Sequence, residues 1–293
     1  MKFYLKFFIF QIFVFSSLFA NFLDQKLPVI KEISKETYID LPSREYEDIA
    51  LDGQNFGNIK FSISYPKNIT KDENVLLLID GLDTGRDVLQ YIPHLKDYVI
   101  IGYEYQKNLH RLRKKSVFFH LPSTRRAVLD VPFQLVSIVK WIEKQAWYSH
   151  KNVIIIGVSF GAIFVPATYQ LAQINNLKLG PGIMAFGGAG IYDIFYANLK
   201  NYDLLRKPLA YFAYQLFKPI DPVFHLPYIH GKFLIINGTK DENIPLKSAQ
   251  LFQELTPDPK TIINIDTTHL QPGRKDIIDK IVDISLEWLK KNQ

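Results

Sequence analysis

The apolar run Val153-Ile154-Ile155-Ile156 passes without a break into Gly157-Val158-Ser159-Phe160-Gly161. Four branched aliphatic residues in a row predict a strand buried on both faces. Glycines two before and two after Ser159 let the chain reverse closely enough to hold that serine out of the sheet on a tight turn. The stretch from Ala162 to Leu171 carries only Pro166 as a turn signal and reads as the helix that leaves the turn. This segment constrains the chain more than any other. It demands a sheet in which a strand ends at a helix N-terminus, where backbone N–H groups and the positive dipole end face Ser159. A serine hydroxyl is a weak nucleophile until a base reaches it. The same five residues also fit a small-residue turn that carries no chemistry.

Two later segments bear on that choice. Phe233-Leu234-Ile235-Ile236-Asn237 predicts a strand and ends in the polar loop Gly238-Thr239-Lys240-Asp241-Glu242-Asn243-Ile244-Pro245. Thr261-Ile262-Ile263-Asn264-Ile265 predicts another, followed by Asp266-Thr267-Thr268-His269. The chain therefore presents serine, acid and histidine in that order, each just past a strand end. Six other histidines occur, His94, His110, His120, His150, His225 and His230, and none ends a strand beyond the acid loop. Asp241 is the leading acid, with Glu242 and Asp266 as rivals.

In motif, order and strand context the chain from about residue 45 onward resembles the α/β-hydrolase superfamily, and its serine esterases and lipases in particular. The resemblance implies Ser159 as nucleophile, His269 as general base and Asp241 as the acid that orients the imidazole. It implies an oxyanion hole from the backbone N–H groups of Phe160 and Leu82. Leu82 lies in Asp80-Gly81-Leu82-Asp83-Thr84-Gly85-Arg86, after the strand Val75–Ile79. That loop resembles the family's His-Gly turn but has Asp80 in place of the histidine. Backbone donation does not depend on that side chain.

The remaining sequence predicts one α/β domain with a mostly parallel sheet and helices on both faces. Alternation over about 36–65, clearest in Ile59–Tyr65, predicts an antiparallel entry to the sheet. Strands are expected near 75–80, 98–105, 152–157, 182–187, 232–237 and 260–265. Asp130 is expected to cap a helix from Val131 to Lys144, and a last helix should run from Lys275 to Lys290. At 293 residues and 47% hydrophobic content the chain can bury one large core.

The segment 190–231 breaks this pattern, and the resemblance implies a small helical lid insertion there. Leu204 to Phe217 is apolar nearly all round, which leaves three readings: burial on the domain body, a lid over an apolar pocket, or contact with a membrane or partner. Gly187-Gly188-Ala189-Gly190 reads as a tight turn and lacks the spacing of a dinucleotide fingerprint.

Composition narrows the partners. There is no cysteine, hence no disulfide framework and no thiol nucleophile. No His-Glu-x-x-His motif and no close histidine pair occurs, so neither metal nor cofactor is expected. The 35 basic and 29 acidic residues give +6; without Lys2 and Lys6 the count is 33 against 29. This mild excess does not point to nucleic acid. Lys107, His110, Arg111, Arg113, Lys114 and Lys115 form a basic loop that suits either an anionic group or plain solvation.

Lys2, Lys6 and the apolar stretch Phe7–Ala20 resemble a secretory signal cut after Ala20. An uncleaved anchor extended through Leu23 and a buried helix are the alternatives. Cleavage implies export, with the bacterial periplasm as the expected compartment. The expected chemistry is hydrolysis of a carboxylic ester or thioester. A peptidase, an acyltransferase and a binding protein without turnover on the same scaffold are the competing readings.

Overall fold

The computed structural model describes residues 22–38, 44–67, 69, 74–82, 84–91, 98–113, 120–149, 152–271 and 273–292. Among the described residues, nine strands form one sheet: β1 (Lys31–Tyr38), β2 (Arg44–Asp52), β3 (Asn58–Pro66), β4 (Asn74–Ile79), β5 (Tyr98–Glu104), β6 (Val153–Val158), β7 (Gly182–Ala185), β8 (Phe233–Gly238) and β9 (Lys260–Ile265). Their spatial order is β1-β2-β3-β5-β4-β6-β7-β8-β9. The β1/β2, β2/β3 and β3/β5 pairs are antiparallel, and every pair from β5/β4 to β8/β9 is parallel. The expected antiparallel entry is present and starts earlier than its apolar alternation. In β1 (KEISKETY) lysine and glutamate dominate an exposed strand, a composition that protects a sheet edge from pairing with other chains.

Among the described residues, six α-helices lie around the sheet: α1 (Leu121–Ile142), α2 (Val165–Ile174), α3 (Ile191–Asn198), α4 (Arg206–Phe217), α5 (Leu246–Leu255) and α6 (Lys275–Asn292). Alternate residues of the parallel strands feed two cores. Leu77, Ile79 and Ile155 join α1 and α2 on one face, and Leu76, Leu78 and Ile154 join α6 on the other. Helices therefore cover both faces, as the alternation of strand and helix implies.

The expected cap at Asp130 is corrected. Helix α1 begins at Leu121, with proline in its first turn, and runs through Asp130 and Pro132. Pro132 removes one backbone donor from the helix interior. Fifteen buried α1 residues, including Phe133, Leu135 and Ile138, fix the helix against the sheet despite it. Asp130 is thus a buried carboxyl in mid-helix, and Arg126, 3.8 Å away one turn earlier, is its ion partner.

Helix α4 buries Ala210, Leu216 and Phe217, whereas Leu204 and Leu205 just before it are 95% and 59% exposed. The all-round apolar stretch is therefore half packed and half open. Phe217 meets Phe195 of α3 with ring centroids 5.9 Å apart, which joins the two helices.

Residues 1–20, on which the signal and anchor readings rest, lie outside the described residues. Among the described residues, no helix is long and apolar enough to cross a membrane. In the basic loop Lys107 is exposed and Leu109 buried. The side chains of Arg111 and Arg113, and all of Lys114 and Lys115, lie outside the described residues.

Candidate active site

Ser159 sits where β6 turns into a short 3-10 segment, Ser159–Ile163, that leads on to α2. Its φ is 54°, in the left-handed region that costs an L-residue energy. The flanking glycines show what holds it there. A Cβ on Gly161 would lie 1.9 Å from the Ile79 carbonyl oxygen, and one on Gly157 would lie 2.4 Å from Val165 Cγ2. The turn is folded so tightly against β4 and α2 that neither position has room for a side chain. The expected helix after the turn is displaced by this 3-10 start, and Pro166 falls in the first turn of α2, where its missing N–H costs nothing.

His269 Nε2 lies 2.6 Å from Ser159 Oγ, and His269 Nδ1 lies 2.7 Å from Asp241 Oδ2. The Asp241 side chain is 3% exposed and that of His269 12%. Asp241 Oδ1 accepts from the backbone N–H groups of Asn243 (2.8 Å) and Ile244 (2.9 Å). Both carboxylate oxygens are therefore occupied, and the group is fixed in rotation. The rival acids point elsewhere: Glu242 faces Lys200 at 3.6 Å, and Asp266 pairs with Lys240 and Thr239 in solvent.

Backbone contacts bring the two loops into register. Thr239 N–H donates to Ile265 O (2.9 Å) and Lys240 N–H to Thr267 O (3.0 Å). The approach is so close at Gly238 that a Cβ there would lie 2.7 Å from Thr267 O. Phe186, at φ 54°, sets its ring edge-on to the His269 imidazole with centroids 5.8 Å apart. The sequence reading missed Phe186, because a phenylalanine before a glycine run carries no signal of what it touches.

Residues of the loop after β4 also reach the site. Gly81 O accepts from Thr84 N (3.1 Å) and Gly85 N (3.2 Å), and Tyr105 Oη donates to Asp80 O (2.7 Å). Asp80 Oδ1 accepts from Gly81 N–H at 2.7 Å. Burial pushes the Asp80 carboxyl above its ordinary pKa, and the hydrogen bonds from Gly81 and Thr84 pull against that rise. Asp80, Gly81, Thr84 and Phe160 all line the cavity at Ser159. The Leu82 side chain turns into the core and is 4% exposed, so only its backbone is available to the site.

The cavity holds about 530 Å³ and is lined chiefly by aliphatic side chains. Ile194 and Asn198 of α3 and Ile244 of the acid loop form one wall. Asp221, also missed from sequence, fixes that wall. Its buried carboxylate accepts from the N–H groups of Gly190 (2.9 Å) and Ile191 (3.0 Å) at the start of α3, and of Val223 (3.2 Å). The negative group at the helix N-terminus satisfies donors that the helix itself leaves open.

No family model and no curated protein matches the chain. Solved structures do. An acetyl xylan esterase from Paenibacillus sp. R4 superposes with a TM-score of 0.66 at 14% identity, over 92% of this chain and 93% of that one. An esterase of Pyrococcus furiosus gives 0.58 at 15%, over 89% and 98%. An acylaminoacyl peptidase of Pyrococcus horikoshii gives 0.58 at 12%, over 92% of this chain but 42% of that one. At such identities the likeness is one of fold, and the fold is that of the α/β-hydrolases.

Proposed function

We propose that the protein is a serine hydrolase that cleaves a carboxylic ester or thioester through an acyl-enzyme on Ser159. The observation that carries this reading is the chain of contacts from Asp241 through His269 to Ser159, at 2.7 and 2.6 Å, opening on an apolar cavity.

The chemistry follows from that order. His269 Nε2 takes the Ser159 proton as Oγ attacks the substrate carbonyl carbon. Asp241 holds Nδ1 protonated, so Nε2 is the free base, and it stabilises the imidazolium that forms. The carbonyl oxygen gains the negative charge and is met by the N–H groups of Phe160 and Leu82. Collapse breaks the bond to the alcohol or thiol, which leaves with the proton held by His269. A water molecule then gives its proton to His269 and attacks the ester on Ser159. The acid departs, and the proton returns to Oγ.

The segment 190–231 acts as a lid in this reading, since α3 supplies Ile194 and Asn198 to the cavity wall. The likeness to an acylaminoacyl peptidase favours amide cleavage as the second reading. Residues 1–20 direct export in this proposal, and N-terminal sequencing of the exported protein should begin at Asn21.

A fluorophosphonate probe read by intact mass tests the central claim. One adduct on the wild type and none on Ser159→Ala is the expected result. No adduct on the wild type, with and without detergent, would replace hydrolysis by a binding role.

A further inference from the structure

We infer that the substrate's acyl group is a straight hydrocarbon chain of medium length, held in a channel between the sheet and the C-terminal helix α6. This rests on Ser159 being the nucleophile.

The channel is visible as a failure of two apolar stripes to close on each other. β6 runs through the middle of the sheet, between β4 and β7. Its Ile154 and Ile155 are fully buried, as a central parallel strand requires. Ile156 and Val158, on the α6 side, are only partly buried. Opposite them Ile278, Val282 and Leu286, spaced four residues apart on one face of α6, are also only partly buried. All five line the same cavity as Ser159 and His269. Facing aliphatic rows normally interlock at crystal-like density, and a gap between them forfeits dispersion contacts. A gap that opens at a candidate nucleophile is a place for an apolar group.

Two independent rulers give its length. In register, Leu76 pairs with Ile154, and both lie five residues below Ser159. At about 3.3 Å per residue that depth is roughly 16 Å. Along α6 the lining runs from Ile278 to Leu289. At about 1.5 Å per residue this is again roughly 16 Å. A fully extended chain advances about 1.3 Å per bond, a third of the Cα–Cα step, so the channel takes about twelve bonds. An acetyl group would leave most of it unfilled.

The chemistry of the walls selects against polar acyl groups. Asp80, Thr84, Asn198, Asn243 and Gln271 gather at the Ser159 end. Below them, Ser285 is the one polar side chain lining the channel among the described residues. A sugar, peptide or charged acid placed there would lose water without gaining partners. The leaving group then lies on the other side of Ser159, against Ile194 and Ile244.

The test measures kcat/KM for p-nitrophenyl esters from acetate to palmitate, on the wild type, Val282→Trp and the milder Leu286→Phe. The same three proteins are labelled with a fluorophosphonate carrying a short alkoxy arm. Each methylene that enters the channel should raise kcat/KM roughly fourfold, with the maximum near ten to twelve carbons. Val282→Trp should lower the decanoate-to-acetate ratio about a hundredfold, and Leu286→Phe should shift the maximum to shorter chains. Short-arm labelling with a flat or acetate-preferring wild-type profile would overturn the channel while leaving the hydrolase reading intact. So would an unchanged profile in Leu286→Phe, whether or not Val282→Trp folds. No labelling of the wild type would remove the hydrolase reading and the channel with it.

Discussion

Asp241 gives one carboxylate oxygen to His269 Nδ1 at 2.7 Å and the other to two backbone N–H groups, so its orientation is fixed before any substrate arrives. In Asp241→Asn the backbone N–H groups would hold the amide oxygen and aim the amide N–H at Nδ1. The imidazole would then carry its proton on Nε2, the wrong nitrogen for a base. Ester turnover is expected to fall by about four orders of magnitude, with folding retained. Glu242→Gln, whose side chain faces Lys200 in solvent, is expected to stay near wild type. Steady-state kinetics on both variants checks the pair, and the reverse pattern would move the acid by one residue.

Ser159 makes a second, separable statement about the elbow. Ser159→Ala should lower kcat by about a million-fold. It keeps a Cβ at φ 54°, and so keeps the strain. Ser159→Gly is equally dead but relieves a left-handed backbone costing about 1–2 kcal/mol, less about 0.4–1 kcal/mol for the freer unfolded chain. The glycine variant is therefore expected to unfold at higher urea than the alanine variant. Equal midpoints would mean that the turn is unstrained.

Much of this architecture was legible in the sequence because it is written in local signals. Apolar runs marked the parallel strands to within a residue or two, and the glycines around Ser159 marked the elbow. Strand ends marked where Asp241 and His269 would fall, and the structure brings both to Ser159. What was not legible depends on distant partners. β1 is a strand because β2 pairs with it, although its charged residues give no apolar alternation. Helix α1 continues through Pro132 because the sheet holds it on both sides of the proline. Asp221 and Phe186 matter through contacts with residues 30 or more positions away. The open stripe on α6 is invisible in a sequence where Ile278, Val282 and Leu286 look like ordinary core.

The glycines of the site divide sharply. Gly161→Ala would drive a methyl into the Ile79 carbonyl, a backbone atom that cannot swing aside. A loss of about 3 kcal/mol or more is expected, by separation of β4 from the elbow. Gly81, which lines the same cavity, has nothing within 4 Å of an added Cβ. Gly81→Ala should therefore unfold within about 0.5 kcal/mol of wild type. Urea titration of the two variants side by side gives the comparison. A Gly161→Ala protein as stable as Gly81→Ala would show that the elbow is looser than this packing implies.

Asp130 should make stability fall as pH rises through the acidic and neutral range. Burial in mid-helix pushes its carboxyl up to about 7, against an ordinary 3.8, and Arg126 offsets only part of that rise. Between those values the folded protein holds a proton that the unfolded chain has released, so the slope of unfolding free energy against pH is negative. Its contribution is complete below about pH 4 and lost once pH passes about 7. Asp130→Asn keeps the shape without the titration. Relative to wild type it should gain stability from pH 4 to about pH 7, by a few kcal/mol at most, and level off above that. His225, buried and lowered to about 4 from 6.5, adds a slope of opposite sign over the acid half of that range. The difference between Asp130→Asn and wild type cancels the His225 contribution. It is that difference, measured by urea unfolding at several pH values, which should rise; a flat difference would mean that Asp130 is ionised in the folded protein throughout.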